Sequence, residues 1–288
     1  MTAHLNERHS GTPVMEVIPL SSALGAEIRG VDAASPIDDA TFSGILRAWH
    51  RHLVLLLRGQ SLDEGAQVRF AERFGELSPV HTSHHSETNR AVMYIGNLKK
   101  DGKMTGALPL GEMQFHSDQC YQENPAMGTM LYAIEIPAEG GNTLFTNGYK
   151  AWEALPQEVR TRVESLKAVQ VYDYDGGVLD RRAMVSPEAG VSHAHPVART
   201  HPATGRKSLY VNRLMTHHIE GLASGESERL LALMFQTLER AEFIYEHRWR
   251  VGDVLLWDNR CTLHARRDFD PSARRWLRRV TIKGDRPR

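Results

Sequence analysis

The sequence predicts a mainly β protein, one sandwich or barrel core with helices packed outside it. Three observations carry that reading. Short apolar runs bounded by Gly, Pro, Asn and Asp recur along the chain. Helical periodicity is confined to an early cluster and to a few inserted stretches. No internal repeat or low-complexity linker divides the 288 residues. The expected organisation is a single domain over residues 16–288 behind a flexible tail over 1–15.

The elements follow in order. "MEVIPLSSALGAEIRGVD" alternates apolar runs with Ser and Gly and reads as an opening hairpin. "DDATFSGILRAWHRH" is a helix, with an Asp cap ahead of Phe42, Ile45, Leu46 and Trp49 at i, i+3, i+4, i+7 spacing. The strand "LVLLLRG" leads to a second helix, in which Ser61 and Glu64 fit a capping box and Gly75 the C′ position. Residues 82–112 contain one strand, "AVMYIGN", within a long Gly- and Lys-rich loop that suits a lid. "MGTMLYAIEIP" and "NTLFTNG" are strands joined by "AEGG" as a hairpin. "LPQEVRTRVESL" is a short helix, and short β runs such as "KSLYVN" follow. "SGESERLLALMFQTLER" is an amphipathic helix starting at a Ser cap, whose apolar stripe reads as core or an oligomer surface and not as a cofactor box. The remainder supplies three strands, with a turn at Gly252-Asp253.

Lys+Arg and Asp+Glu both total 35, which argues against a broad footprint for nucleic acid or anionic membrane. Two cysteines imply no disulfide framework and fit a reducing cytoplasm. The N-terminus lacks a signal-peptide core, and no apolar run approaches the roughly 18 residues of a membrane span.

Chemistry concentrates in "FHSDQCY". His116 and Asp118 are spaced so that, on a strand, an imidazole and a carboxylate would converge from one face, about 7 Å apart at the Cα. His264, closing "VLLWDNRCTLH", offers a third ligand. Two histidines and one carboxylate leave three positions of an octahedral ion open, the pattern of non-haem Fe(II) oxygenases. Two of those positions suit a bidentate 2-oxo acid and one suits O₂. In "ARRWLRRV", strand alternation puts Arg275 and Arg279 on one face, eleven and fifteen residues past His264. A guanidinium pair binds carboxylate or sulfonate bidentately. Arg274 and Arg278, on neighbouring positions, read as solvated or paired surface groups. Cys120 and Cys261 read as buried or pocket-wall thiols.

H-S-D, then G-G-N-T, then W-D-N-R-x-x-x-H, then R-R-x-x-x-R in this order resembles the taurine dioxygenase/2,4-dichlorophenoxyacetate dioxygenase (TauD/TfdA) family of Fe(II)/2-oxoglutarate-dependent oxygenases. "LGAEIRGVD", "VLLLRGQSL" and "FAERFGEL" are similar to that family as well. The resemblance implies a double-stranded β-helix (jelly roll) core, with His116, Asp118 and His264 as iron ligands and 2-oxoglutarate and O₂ as cosubstrates. It implies that Thr143 and Arg275 hold the far carboxylate of 2-oxoglutarate and that Arg279 holds the anion of the prime substrate. His81, with His84 and His85 near it, and Glu112, four residues before the first ligand, fall where relatives contact substrate. The implied substrate is a small organic acid: a sulfonate, sulfate ester or aryloxyalkanoate, or alternatively an amine-bearing or natural-product molecule. A homodimer or homotetramer is implied. A zinc hydrolase and a non-catalytic jelly-roll binding protein are the alternatives from other classes.

Overall fold

The computed structural model describes residues 14–80, 84–107, 111–172 and 191–288. The first half contains β1 (Glu16–Pro19), β2 (Ala26–Arg29), α1 (Asp39–His52), β3 (Val54–Leu57) and α2 (Glu64–Glu72). Next come β4 (Val92–Gly96), β5 (Lys99–Lys100), β6 (Lys103–Met104), β7 (Met113–His116), β8 (Gly128–Glu135) and β9 (Thr143–Asn147). Helices α3 (Gly148–Ala154) and α4 (Gln157–Val163) precede β10 (Lys167–Tyr172), β11 (Val191–Pro196), β12 (Ala198–Thr200), β13 (Lys207–Leu209) and β14 (Thr216–Ile219). The chain closes with α5 (Ser224–Leu238), β15 (Ile244–His247), β16 (Val254–Asp258), β17 (Thr262–Arg266) and β18 (Trp276–Ile282).

Two sheets form the jelly roll. A seven-stranded sheet has the order β1-β2-β3-β16-β8-β18-β4, and a four-stranded sheet the order β15-β9-β17-β7. Within each sheet, strands far apart in sequence become neighbours, which is what a double-wound sandwich requires. "LVLLL" is apolar without alternation because both faces of β3 are covered. Leu55 and Leu57 pack outward with Ile45 and Trp49 of α1 and Phe70 of α2, while Val54 and Leu56 face the second sheet beside Phe145 and Trp257. The outer face of the four-stranded sheet is covered by α3 and α5, where Leu263 meets Trp152, Met234 and Phe235. The stripe on α5 is therefore core.

Several local expectations need correction. "AEGG" does not close a hairpin: β8 and β9 lie in different sheets, and this segment carries the chain between them. Asp63, whose carboxylate accepts from Ala66 N at 2.6 Å, caps α2 in place of Ser61. Glu64 instead accepts from the hydroxyls of Ser86, Thr88 and Tyr94. Gly75 lies three residues past the last helical residue of α2, beyond C′. Ser224 is the first residue within α5, and Ala223 stands at its cap without a side-chain bond. The C-terminal stretch holds four strands where three are expected, because β15 pairs with β9 as a separate edge strand. Helix α3 follows β9 directly, capped by Asn147, and lacks the sequence length that makes periodicity legible.

The opening hairpin, α1 with its Asp38 cap, and the turn at Gly252 (φ 83°) agree with the sequence reading. Within 84–107, β4 is the edge strand of the large sheet, paired with β18. No helix among the described residues is long and apolar enough to cross a membrane.

Candidate metal centre

β7 and β17 run antiparallel, and His116 and His264 are register partners. The strand alternation turns Phe115 and Leu263 outward toward the helical layer, so both imidazoles face the interior between the sheets. Their ring centroids are 4.1 Å apart. β7 ends at His116. The expectation that Asp118 continues the strand face of His116 therefore fails: the chain turns here, with Gln119 at φ 56°. The turn nonetheless delivers Asp118 Oδ1 to 3.9 Å from His264 Nε2. One ligand atom from each of His116, Asp118 and His264 lies within 4.8 Å of the others.

The protonation states suit a divalent cation. His116 Nδ1 faces the Gln114 carbonyl at 2.9 Å, so Nδ1–H donates there and the Nε2 lone pair is left for a metal. Burial pushes both imidazoles down, His264 to about 3 with further lowering from His116, so both are neutral near pH 7. Burial alone would raise Asp118, but Arg279, then His264 and His116, and the Thr129 hydroxyl hold its carboxyl well below the usual range. Two neutral nitrogens and one carboxylate are the donor set of an iron facial triad.

Sequence reasoning missed the residues that hold Asp118. Thr129 Oγ1, on β8, donates to Asp118 Oδ2 at 2.6 Å. Asn259 Nδ2 donates to Thr129 Oγ1 at 3.0 Å, and Asn259 Oδ1 accepts from Trp257 Nε1 at 2.9 Å. The Asn259 carbonyl also accepts from Ser117 Oγ at 2.9 Å. The Asp-Asn pair beside Trp257 was visible as a motif, but its target on β8 requires the sheet pairing.

Arg275 and Thr143 are the residues expected to hold the cosubstrate. Arg275 is 2 % exposed. Its Nη2 donates to the Gly141 carbonyl at 3.3 Å, while Nε and Nη1 have no hydrogen-bond partner among the described residues. Burial, then the charge of Arg266, lowers its pKa. A buried guanidinium with two open donors fits a carboxylate ligand. Thr143 Oγ1 accepts from Trp249 Nε1 at 3.0 Å, which leaves the hydroxyl proton available to donate. The consecutive glycines of "GGNT" both sit at positive φ, 75° and 66°. A Cβ on Gly140 would lie 2.6 Å from the Asp268 carbonyl, so only glycine permits this loop to clasp the 268–269 backbone.

Arg279 donates through Nη2 to Asp118 Oδ1 at 2.9 Å and through Nε to Thr281 Oγ1 at 3.1 Å. Its side chain keeps a 20 % exposed edge. Arg274 is exposed and paired with Glu135, as expected. Arg278 is not a surface group: it is buried, donating to Gln67 Oε1 at 2.7 Å and to the Leu62 and Asp63 carbonyls. Glu112 is not brought to the ligand cluster; it is 60 % exposed and faces Arg267 at 3.4 Å. His81 lies outside the described residues. His85 bonds the Ser86 carbonyl, and a bridge joins it to Met93.

Cys120 is buried beside Met215 and Asn212, and burial raises its thiol to about 12. A second cluster, His201, Asp258 and Cys261, has the composition of a zinc site. Its geometry does not fit one. His201 Nδ1 accepts from Ala203 N and Thr204 N, so Nε2–H donates to Asp258 at 2.9 Å. Arg260 covers both Asp258 oxygens, and burial raises the Cys261 thiol well above its ordinary value. No lone pair or thiolate remains for a cation.

The family model for the taurine catabolism dioxygenase TauD, TfdA family matches residues 16–281. The chain belongs to that family. It is 34 % identical to pentalenolactone F synthase of Streptomyces avermitilis, over 92 % of this chain and 93 % of the relative. It is 33 % identical to the alpha-ketoglutarate-dependent 2,4-dichlorophenoxyacetate dioxygenase of Cupriavidus pinatubonensis, over 93 % and 97 %. The crystal structure of a taurine dioxygenase from Burkholderia xenovorans superposes with a TM-score of 0.82 at 32 % identity, covering 96 % of this chain and 91 % of that one. As a TauD/TfdA member the protein is a 2-oxoglutarate-dependent dioxygenase of the non-haem type.

Proposed function

We propose that this dioxygenase hydroxylates a small organic acid, a sulfonate, sulfate ester or aryloxyalkanoate, with Fe(II) held by His116, Asp118 and His264. The convergence of this triad in one interior that also holds the underused guanidinium of Arg275 carries the reading. When bound, iron together with 2-oxoglutarate and O₂ supplies oxidation of an unactivated C–H bond, which no side chain here can perform by acid–base chemistry. Succinate and CO₂ are the coproducts. Where the hydroxylated carbon bears sulfur or oxygen, the product collapses with cleavage of the C–S or C–O bond.

The residues divide the remaining work. Arg275 and the Thr143 hydroxyl orient the cosubstrate through its far carboxylate. Thr129 and Asn259 fix the rotamer of Asp118, so that Oδ1 faces the two imidazoles. Arg279 presents its exposed edge to the anion of the prime substrate while compensating the charge of Asp118. The identity to pentalenolactone F synthase favours one second reading, the same oxidation on a natural-product acid. The buried, protonated thiols Cys120 and Cys261 suit a reducing compartment, and we place the enzyme in the cytoplasm.

The test is a screen of candidate acids for stimulated succinate release under air with Fe(II) and 2-oxoglutarate. Arg279→Ala should raise the KM of the active acid far more than that of 2-oxoglutarate. Equal effects on both would remove Arg279 from the substrate site.

A further inference from the structure

β17 carries a second inward side chain. His264 and Arg266 lie one same-face step apart, about 7 Å at the Cα, with Leu263 turned the other way into the helical layer. On β9 the register partner of Arg266 is Thr143, so the two side chains stand next to each other on the interior face. Arg266 is 7 % exposed, and it also donates through Nη2 to the Gly111 carbonyl at the entry to β7. The guanidinium carbons of Arg266 and Arg275 lie 5.5 and 5.8 Å from the centroid of the same ring, Phe269.

Two buried guanidiniums thus share one aromatic ring, beside a threonine hydroxyl with a proton to give. Held against the same ring, the two cations lie in each other's field, and the charge of Arg266 lowers the pKa of Arg275. An anion bound to Arg275 relieves that repulsion, and a carboxylate has two oxygens, enough for one guanidinium each.

We propose that Arg266 is a second cationic anchor for the distal carboxylate of 2-oxoglutarate, acting beside Arg275 and Thr143. This rests on the assignment of that pocket to the cosubstrate. A purely structural Arg266, holding Gly111 and the start of β7, would affect all ligands of the metal site alike.

Equilibrium binding separates these cases. The full-length protein loaded with Mn(II) would be titrated calorimetrically with 2-oxoglutarate and with 2-oxobutyrate, which keeps the chelating end and lacks the distal carboxylate. Two variants are informative: Arg266→Gln, which removes the charge but keeps an amide donor for Gly111, and Arg266→Lys, which keeps the charge without the fork. Arg266→Gln should weaken 2-oxoglutarate about tenfold or more and leave 2-oxobutyrate within about twofold, with Arg266→Lys intermediate. Should Arg266→Gln fail to fold, the Lys variant decides by the same ratio between the two acids. Parallel weakening of both acids, or no change in either, overturns the proposal. If the wild-type protein shows no preference for 2-oxoglutarate, or Arg275→Gln does not reduce that preference, the cosubstrate assignment fails and takes the Arg266 role with it.

Discussion

His116 and His264 face each other across one strand pair, register partners whose rings stand 4.1 Å apart. The pairing of β7 with β17, and not any local motif, brings two candidate ligands separated by half the chain to one site. Asp118 joins them from the turn after β7, and the precision of its placement comes from β8 through Thr129.

That relationship makes Thr129 testable. Thr129→Val keeps the shape and removes the hydroxyl that donates to Asp118 Oδ2 at 2.6 Å. Metal affinity should fall roughly 10- to 100-fold, the usual cost of losing such a partner. Fluorescence or calorimetric titration with Mn(II) measures it, and an unchanged dissociation constant would mean that Asp118 is oriented by other contacts.

Arg278 and Arg279 are adjacent on β18 and should behave as opposites. Arg278→Met leaves the Gln67 amide oxygen and the Leu62 and Asp63 carbonyls without their donor. It should cost about 2–4 kcal/mol of folding stability while kcat/KM per folded molecule holds. Arg279→Met should cost little stability in the Mn(II)-loaded protein, where the cation compensates Asp118, and most of the activity. Urea denaturation paired with turnover assays distinguishes the two, and the reverse pattern would mean that β18 presents its faces the other way.

Acid sensitivity follows from His195. Burial drives its pKa to about 4 from the ordinary 6.5, with Nε2–H donating to the Gln122 carbonyl at 2.8 Å. Between those values the unfolded chain binds the proton and the folded one does not. Stability is therefore full above pH 6.5 and declines as pH falls toward 4. His195 should account for about 2 kcal/mol of loss by pH 5. His195→Gln keeps a donor for Gln122 and should flatten the curve by that amount. Identical pH profiles for both proteins would place the acid sensitivity elsewhere.

The sequence made legible what depends on local chemistry. The Asp38 cap, the apolar face of α1, the unbroken apolar run of β3 and the order of the ligand motifs are all local patterns, and each is present in the fold. What depends on pairing was not legible. "AEGG" has hairpin composition, yet it carries the chain between sheets, because β8 and β9 find partners distant in sequence. Strand alternation assigned Arg275 and Arg279 to one face, but could not tell that Arg278 would be buried against α2. Glu112 stands four residues before His116, where the resemblance implies a substrate contact, and the turn ahead of β7 carries it to the surface beside Arg267. Thr129 and Arg266 bear no motif of their own, and only the hydrogen bond to Asp118 and the register with Thr143 distinguish them.

The most direct measurement is optical. Under anaerobic conditions, Fe(II) and 2-oxoglutarate added together to the protein should produce a weak visible charge-transfer band. The band should be absent with either component alone, and lost in His116→Ala and His264→Ala. A protein that binds zinc in preference, gives no band with iron and 2-oxoglutarate, and turns over substrate without O₂ would contradict the assignment of this centre.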